Sequence, residues 1–127
     1  MSFMKIKGLF IVLVCGLFCI LGQPQAQAAS DTVVIGLQGP ITGAWAYEGQ
    51  MAKQSCEIAA DLINKKGGIL GGRKVVIKVE DDAGEPKTGA LAAQKLVGQK
   101  DVVAAVSTYG SSVCEPASNI YEKFKKV

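Results

Sequence analysis

Two short stretches carry most of the side chains that could do chemistry. Gly110-Ser111-Ser112 stands ahead of an apolar-periodic segment that runs to Lys126. There it puts two hydroxyls and unpaired backbone N–H groups at the positive end of a helix, a setting that favours an anion and most naturally a carboxylate. The same residues also suit an ordinary serine N-cap that needs no ligand. Ser107 is expected in the preceding strand and Ser118 about a turn inside the helix, so Ser111, following Tyr109, is the serine best placed for a ligand. The second stretch, Gly39 to Gly49, holds Trp45, Tyr47 and Glu48. Two aromatics and a carboxylate can line a pocket for a small organic molecule, although Trp45 or Tyr47 would serve equally to cover a sheet edge.

Other chemistries lose support on the same residues. The Gly39–Gly49 loop has neither the G-x-G-x-x-G spacing of a dinucleotide site nor the Gly-Lys-Ser/Thr ending of a phosphate loop, and no cofactor is expected. Asp81-Asp82 has no further ligands at metal-binding spacing and reads as a pair of solvated turn formers, so no metal site is expected. Histidine is absent from all 127 residues, which excludes His bases, Ser-His and Cys-His nucleophiles and His-ligated metals. A small exported hydrolase using Ser111 or Cys114 would therefore lack its base, there being no Lys in the Ser111 loop either, and the chain is not expected to be an enzyme.

Apolar residues make up 49% of the chain and charged ones 20%, a balance that fits one small globular unit. The formal charge of +3 comes largely from Lys5 and Lys7, since beyond residue 28 twelve basic side chains face eleven acidic ones. No nucleic-acid footprint is indicated. Residues 1–28 have the three-part form of a secretory signal peptide: basic Met1–Lys7, apolar Leu9–Leu21, then Pro24 and Ala26-Gln27-Ala28. The apolar run has thirteen residues, short of the roughly 20 needed to span a bilayer. Cleavage after Ala28 is expected, leaving residues 29–127. Val14 and Phe18 precede Cys15 and Cys19, so neither cysteine fits a lipid-attachment site, and both leave with the leader. Cys56 and Cys114 remain, in a disulfide-permissive compartment.

The elements that must position the candidate residues follow from periodicity. Thr32–Leu37 is an apolar, β-branched strand suited to burial on both faces. Gly49–Lys66 places Ala52, Cys56, Ala59, Ala60 and Ile63 on one helical stripe before Gly67-Gly68. Lys74–Asp81 alternates like a half-exposed edge strand, Thr88–Lys100 is a second helix, and Val102–Val106 a second fully apolar strand. A third helix runs to Lys126, with Pro116 in its first turn. Strand and helix in strict alternation predict an α/β, doubly wound parallel sheet with right-handed crossovers and strand order 2-1-3. Ligands in such sheets bind beyond the strand C-termini where the order reverses, at the two loops singled out above. The first helix then lies on one face and the other two on the opposite face, so Cys56 and Cys114 are separated by the sheet and not disulfide-bonded.

Four motifs in order resemble one family: Gly39-Pro40-Ile41-Thr42-Gly43 with Gly49-Gln50, Ile63 to Ile69, Asp81 to Lys87, and Pro116 to Tyr121. They are similar to the N-terminal lobe of the leucine/isoleucine/valine-binding proteins, periplasmic substrate-binding subunits of amino-acid ABC transporters. The resemblance implies a periplasmic-binding-protein type I fold, in which two lobes close on an amino acid, and an ABC permease as membrane partner. It also implies that Ser111, with nearby N–H groups, holds the ligand carboxylate. Where relatives usually have an aromatic residue against the ligand side chain, this chain has Glu48, with Tyr47 one residue earlier, which points toward a polar or cationic ligand. The disulfide that commonly ties the loops after the second and third strands would fall at Gly84 and Gly110.

The resemblance further implies that residues 29–127 are a partial N-terminal lobe, with the third strand open where a fourth would pair. Such a truncated fragment is expected to bind weakly alone. A ligand-sensing domain of a receptor or regulator with the same fold is the alternative.

Overall fold

The computed structural model describes residues 31–126. Strands and helices alternate as β1 (Thr32–Gly39), α1 (Ala46–Lys65), β2 (Lys74–Asp81), α2 (Pro86–Gly98), β3 (Val102–Val106) and α3 (Ser111–Phe124). The strands form one parallel sheet in the order β2-β1-β3. The proposed leader, with Cys15 and Cys19, lies outside the described residues.

Burial explains the composition of each strand. Central β1 is shielded on both faces, and from Gly36 to Pro40 every residue is buried. Edge strand β2 is half-exposed, and Asn64 near the end of α1 covers part of its outer rim. The Asn64 amide donates to the Val75 carbonyl at 2.8 Å and accepts from the Val75 N–H at 2.7 Å, occupying groups that would otherwise invite another strand. Strand β3, fully apolar in sequence, is buried only at its start. Val102 is fully buried, but Val103 and Val106 are exposed. A register shift pairs Val34 with Val102 and Ile35 with Ala104, which leaves Val103 outside the ladder on the second edge of the sheet.

The main core lies between the sheet and the α2/α3 pair: Val34, Ala93, Leu96, Val97, Val102, Ala117 and Tyr121. No α1 residue belongs to it, because α1 packs across β2 and β1 on the opposite face. Cys56 and Cys114 are accordingly both free and half-buried, as the crossover argument requires. The α1 stripe is shallower than its periodicity predicts. Gly49 and Ala60 are buried and Cys56 and Ile63 half-buried, whereas Ala52 and Ala59 are exposed, because the helix leaves the β3 side of the sheet uncovered.

Helix ends also shift. Helix α1 starts at Ala46 instead of Gly49, so Tyr47 and Glu48 sit in its first turn, and α2 starts on Pro86, whose fixed φ suits a first helical position. Pro116 is the sixth residue of α3, inside the helix and not in its first turn. Its ring removes the N–H that would have met the Ser112 carbonyl, a loss tolerable where Ser112 is exposed to water.

Tyr121 ties α3 to β1, its hydroxyl donating to Gln38 Oε1 at 2.7 Å. Burial, then the Asp82 and Glu80 charges, push the phenol up to about 12 from its ordinary 10.0. The fold therefore favours the neutral phenol. Its contribution is intact below pH 10 and is lost as pH rises toward 12. Urea midpoints across that range should fall more steeply for the wild type than for Tyr121→Phe; parallel slopes would contradict the assignment.

Candidate functional site

Past the C-terminal ends of β1 and β3, on the α1 side of the sheet, lies a cleft of about 320 Å³. Leu37 and Val106 contribute strand-end walls, Glu48 and Cys56 project from α1, and Thr108 and Tyr109 come from the loop after β3. The cleft exists because α1 crosses β2 and β1 without covering β3. Gly49 brings the first turn of α1 against the end of β1, since a Cβ there would overlap the Pro40 carbonyl. Tyr109, which lines the cleft, meets the Trp45 ring outside the lining, with centroids 5.4 Å apart and planes tilted by 52°, a favourable aromatic arrangement.

The structure treats the candidate residues differently. Glu48 and Tyr109 line the cleft. Tyr47, one residue from Glu48 on a helix, is 76% exposed and does not line it. Ser111 and Ser112 are exposed in the first turn of α3, just beyond Tyr109 and outside the cleft lining. Gly110 forms the N-cap at φ 97°, a conformation that suits a residue without a side chain. Neither serine hydroxyl accepts a capping bond; Val113 and Cys114 N–H groups turn back to the Gly110 carbonyl, while those of Ser111 and Ser112 have no partner among the described residues. Ser107 lies just past β3, not within it, and lines the cleft. Ser118 is engaged with the Glu115 carbonyl at 2.9 Å.

Asp81 and Asp82 form the turn as their sequence suggests, each accepting the N–H two residues on, but Asp82 is buried instead of solvated and both also bond distant segments. Asp81 accepts the Ile41 N–H at 2.9 Å, the Thr42 N–H at 3.2 Å, the Thr42 hydroxyl at 2.5 Å and the Ala83 N–H at 2.9 Å. Burial pushes its carboxyl up, but the Thr42 hydroxyl and the Ala83, Thr42 and Ile41 N–H bonds more than offset this, leaving it below the ordinary carboxylate value. Asp82 is fully buried. It accepts from Gln38 Nε2 at 3.2 Å, from Gly84 N at 2.9 Å and from the Thr108 hydroxyl. The tight turn closed by Glu85 N–H on the Asp82 carbonyl leaves this side chain pointing under the loops, which short-range turn chemistry could not reveal. The signal that could have found it is Gln38, a lone amide in an otherwise apolar central strand. Among the described residues no cluster of three or more acidic or cysteine side chains is arranged to hold a metal ion.

A family model described as periplasmic binding protein matches residues 32–127. The chain belongs to the periplasmic binding protein family. Among curated members, the Leu/Ile/Val-binding protein BraC3 of Rhizobium johnstonii is 45% identical over 95 residues, covering 75% of this chain and 25% of BraC3. Among solved members, the branched-chain amino acid transporter substrate-binding protein LivJ of Streptococcus pneumoniae, in complex with isoleucine, superposes with a TM-score of 0.68 at 28% identity. That match covers 73% of this chain and 26% of LivJ. An ABC transporter substrate-binding protein of Desulfitobacterium hafniense in complex with Leu gives 0.66 at 27% identity, covering 76% and 27%. This family member thus spans about a quarter of the length of the relatives it matches, and the shared fold is the type I architecture that the resemblance implied, with the strand order 2-1-3 that the patterning predicted. No described helix is long and apolar enough to cross a membrane.

Proposed function

We propose that this chain supplies part of the N-terminal lobe of an amino-acid-binding component of an ABC transporter, exported by residues 1–28 and delivering its ligand to a membrane permease. Family membership joined to a cleft at the strand-order reversal carries this reading. In it, the free N–H groups of Ser111 and Ser112 and the Ser111 hydroxyl take the ligand carboxylate. Tyr109 and Glu48 face the rest of the ligand, Tyr47 stands at the rim, and Glu48 selects for a polar or cationic group. The names of the relatives, several of them binders of branched-chain amino acids, support the amino-acid class.

The wall is open, with Val106 and Tyr109 each close to half-exposed. Three charge-assisted bonds at a water-exposed helix end, each near the low end of about 1.5 kcal/mol, fall short of the about 8 kcal/mol that micromolar binding needs. Titrating the isotope-labelled chain with leucine should move the Ser111 and Ser112 amide resonances with millimolar affinity. Micromolar affinity, or shifts centred on Ser107 with the two serines silent, would contradict the assignment.

A further inference from the structure

We propose that Asp82 is a positioning residue that holds Tyr109 against Trp45 and so sets the shape of the cleft mouth. The proposal rests on reading that cleft as the ligand wall. Asp82 does not line the cleft; its carboxylate lies beneath the loops with no solvent exposure. A buried carboxylate is tolerated only when its oxygens are well satisfied, and this one accepts from three different segments. Gln38 belongs to β1, Gly84 to the turn after β2, and Thr108 to the loop after β3. Tyr109 follows Thr108 directly, so the Thr108 hydroxyl bond fixes the backbone from which the Tyr109 ring departs.

The other half of the aromatic pair is seated by the same turn. Gly84, at φ 73°, lies beneath Trp45 so closely that a Cβ would come within 2.8 Å of the indole Cδ1. One residue thus organises both partners, accepting from Thr108 on one side and from the Gly84 N–H on the other. A carboxylate is needed because Asp82 Oδ2 receives both the Gln38 amide and the Thr108 hydroxyl. Its Oδ1 takes the Gly84 N–H, so an asparagine, with one acceptor oxygen, fails on one side whichever way its amide is turned. The Gln38 to Tyr121 bond extends the network into the core but away from the mouth, which separates stability from positioning.

The test uses the full chain and its single tryptophan as reporter. Thr108→Val should abolish the near-ultraviolet circular dichroism arising from the Trp45–Tyr109 pair and move the amide resonances of residues 108–112, with far-ultraviolet dichroism retained. Thr108→Ser, which keeps the hydroxyl, should restore both signals, and Asp82→Asn should reproduce the Val phenotype wherever it folds. Tyr121→Phe should lower stability, remove only its own tyrosine contribution and leave the tryptophan part of the aromatic band intact. An unchanged band and unchanged loop resonances in Thr108→Val would overturn the proposal, as would equal loss of the band in Tyr121→Phe. None of these readouts uses ligand, so failure of leucine to move Ser111 and Ser112 would sink the functional reading without touching this one.

Discussion

Truncating Leu96 to alanine should lower the stability of the chain by about 3 kcal/mol, in the middle of the range for fully buried leucines. Leu96 has no solvent exposure and sits between β1, β3 and α3 in the main core. Its methyl groups fill the space left by Gly36, where a Cβ would lie 3.0 Å from Leu96 Cδ2. Deletion of that side chain leaves a void bounded by two strands and a helix that are pinned by their own hydrogen bonds, so collapse is limited. A domain of this size loses about 4 to 8 °C of melting temperature per kcal/mol, which gives a shift of about 12 to 24 °C. Calorimetric melting of Leu96→Ala checks it; a shift of only a few degrees would mean that the core there repacks freely.

Gly49→Ala should be comparably damaging, at about 3 kcal/mol, the upper end for overpacking because the obstacle is backbone. The added methyl would overlap the Pro40 carbonyl, and neither group is a side chain that can rotate away. Relief requires the first turn of α1 to lift from the end of β1, carrying Glu48 out of the cleft wall. The variant should therefore lose melting temperature and at the same time shift the Glu48 and Thr108 resonances, whereas Leu96→Ala should act on stability with little change at the cleft. A Gly49→Ala protein with wild-type melting would show that the close approach of helix and strand is dispensable.

Much of this molecule was legible before folding was considered. The apolar run of Thr32–Leu37 and the alternation of Lys74–Asp81 distinguish a strand buried on both faces from one at an edge. The handedness of crossovers then converts strand order into helix placement, and from that into two unpaired cysteines on opposite faces. Periodicity was less informative at the helix ends. It could not place Tyr47 and Glu48 inside α1, nor move Pro116 past the first turn of α3, because side-chain patterns report a face and say little about where the backbone bonds begin.

The site divides along the same line. The sequence by itself determined the family, the sheet, and which two loops meet at the strand-order reversal, because those depend on residue type repeated along the chain. Only the tertiary structure decided that Glu48 and Tyr109 line the cleft while Tyr47 faces water, a difference of one helical step. It alone showed that Asp81 and Asp82, besides forming their turn, anchor the loops after β1 and β3, joined to residues 39 to 44 positions earlier and 26 positions later in the chain. A buried carboxylate and an exposed one are the same letter. What separates them is the set of donors that distant segments bring to it, and those donors converge only once the sheet has formed.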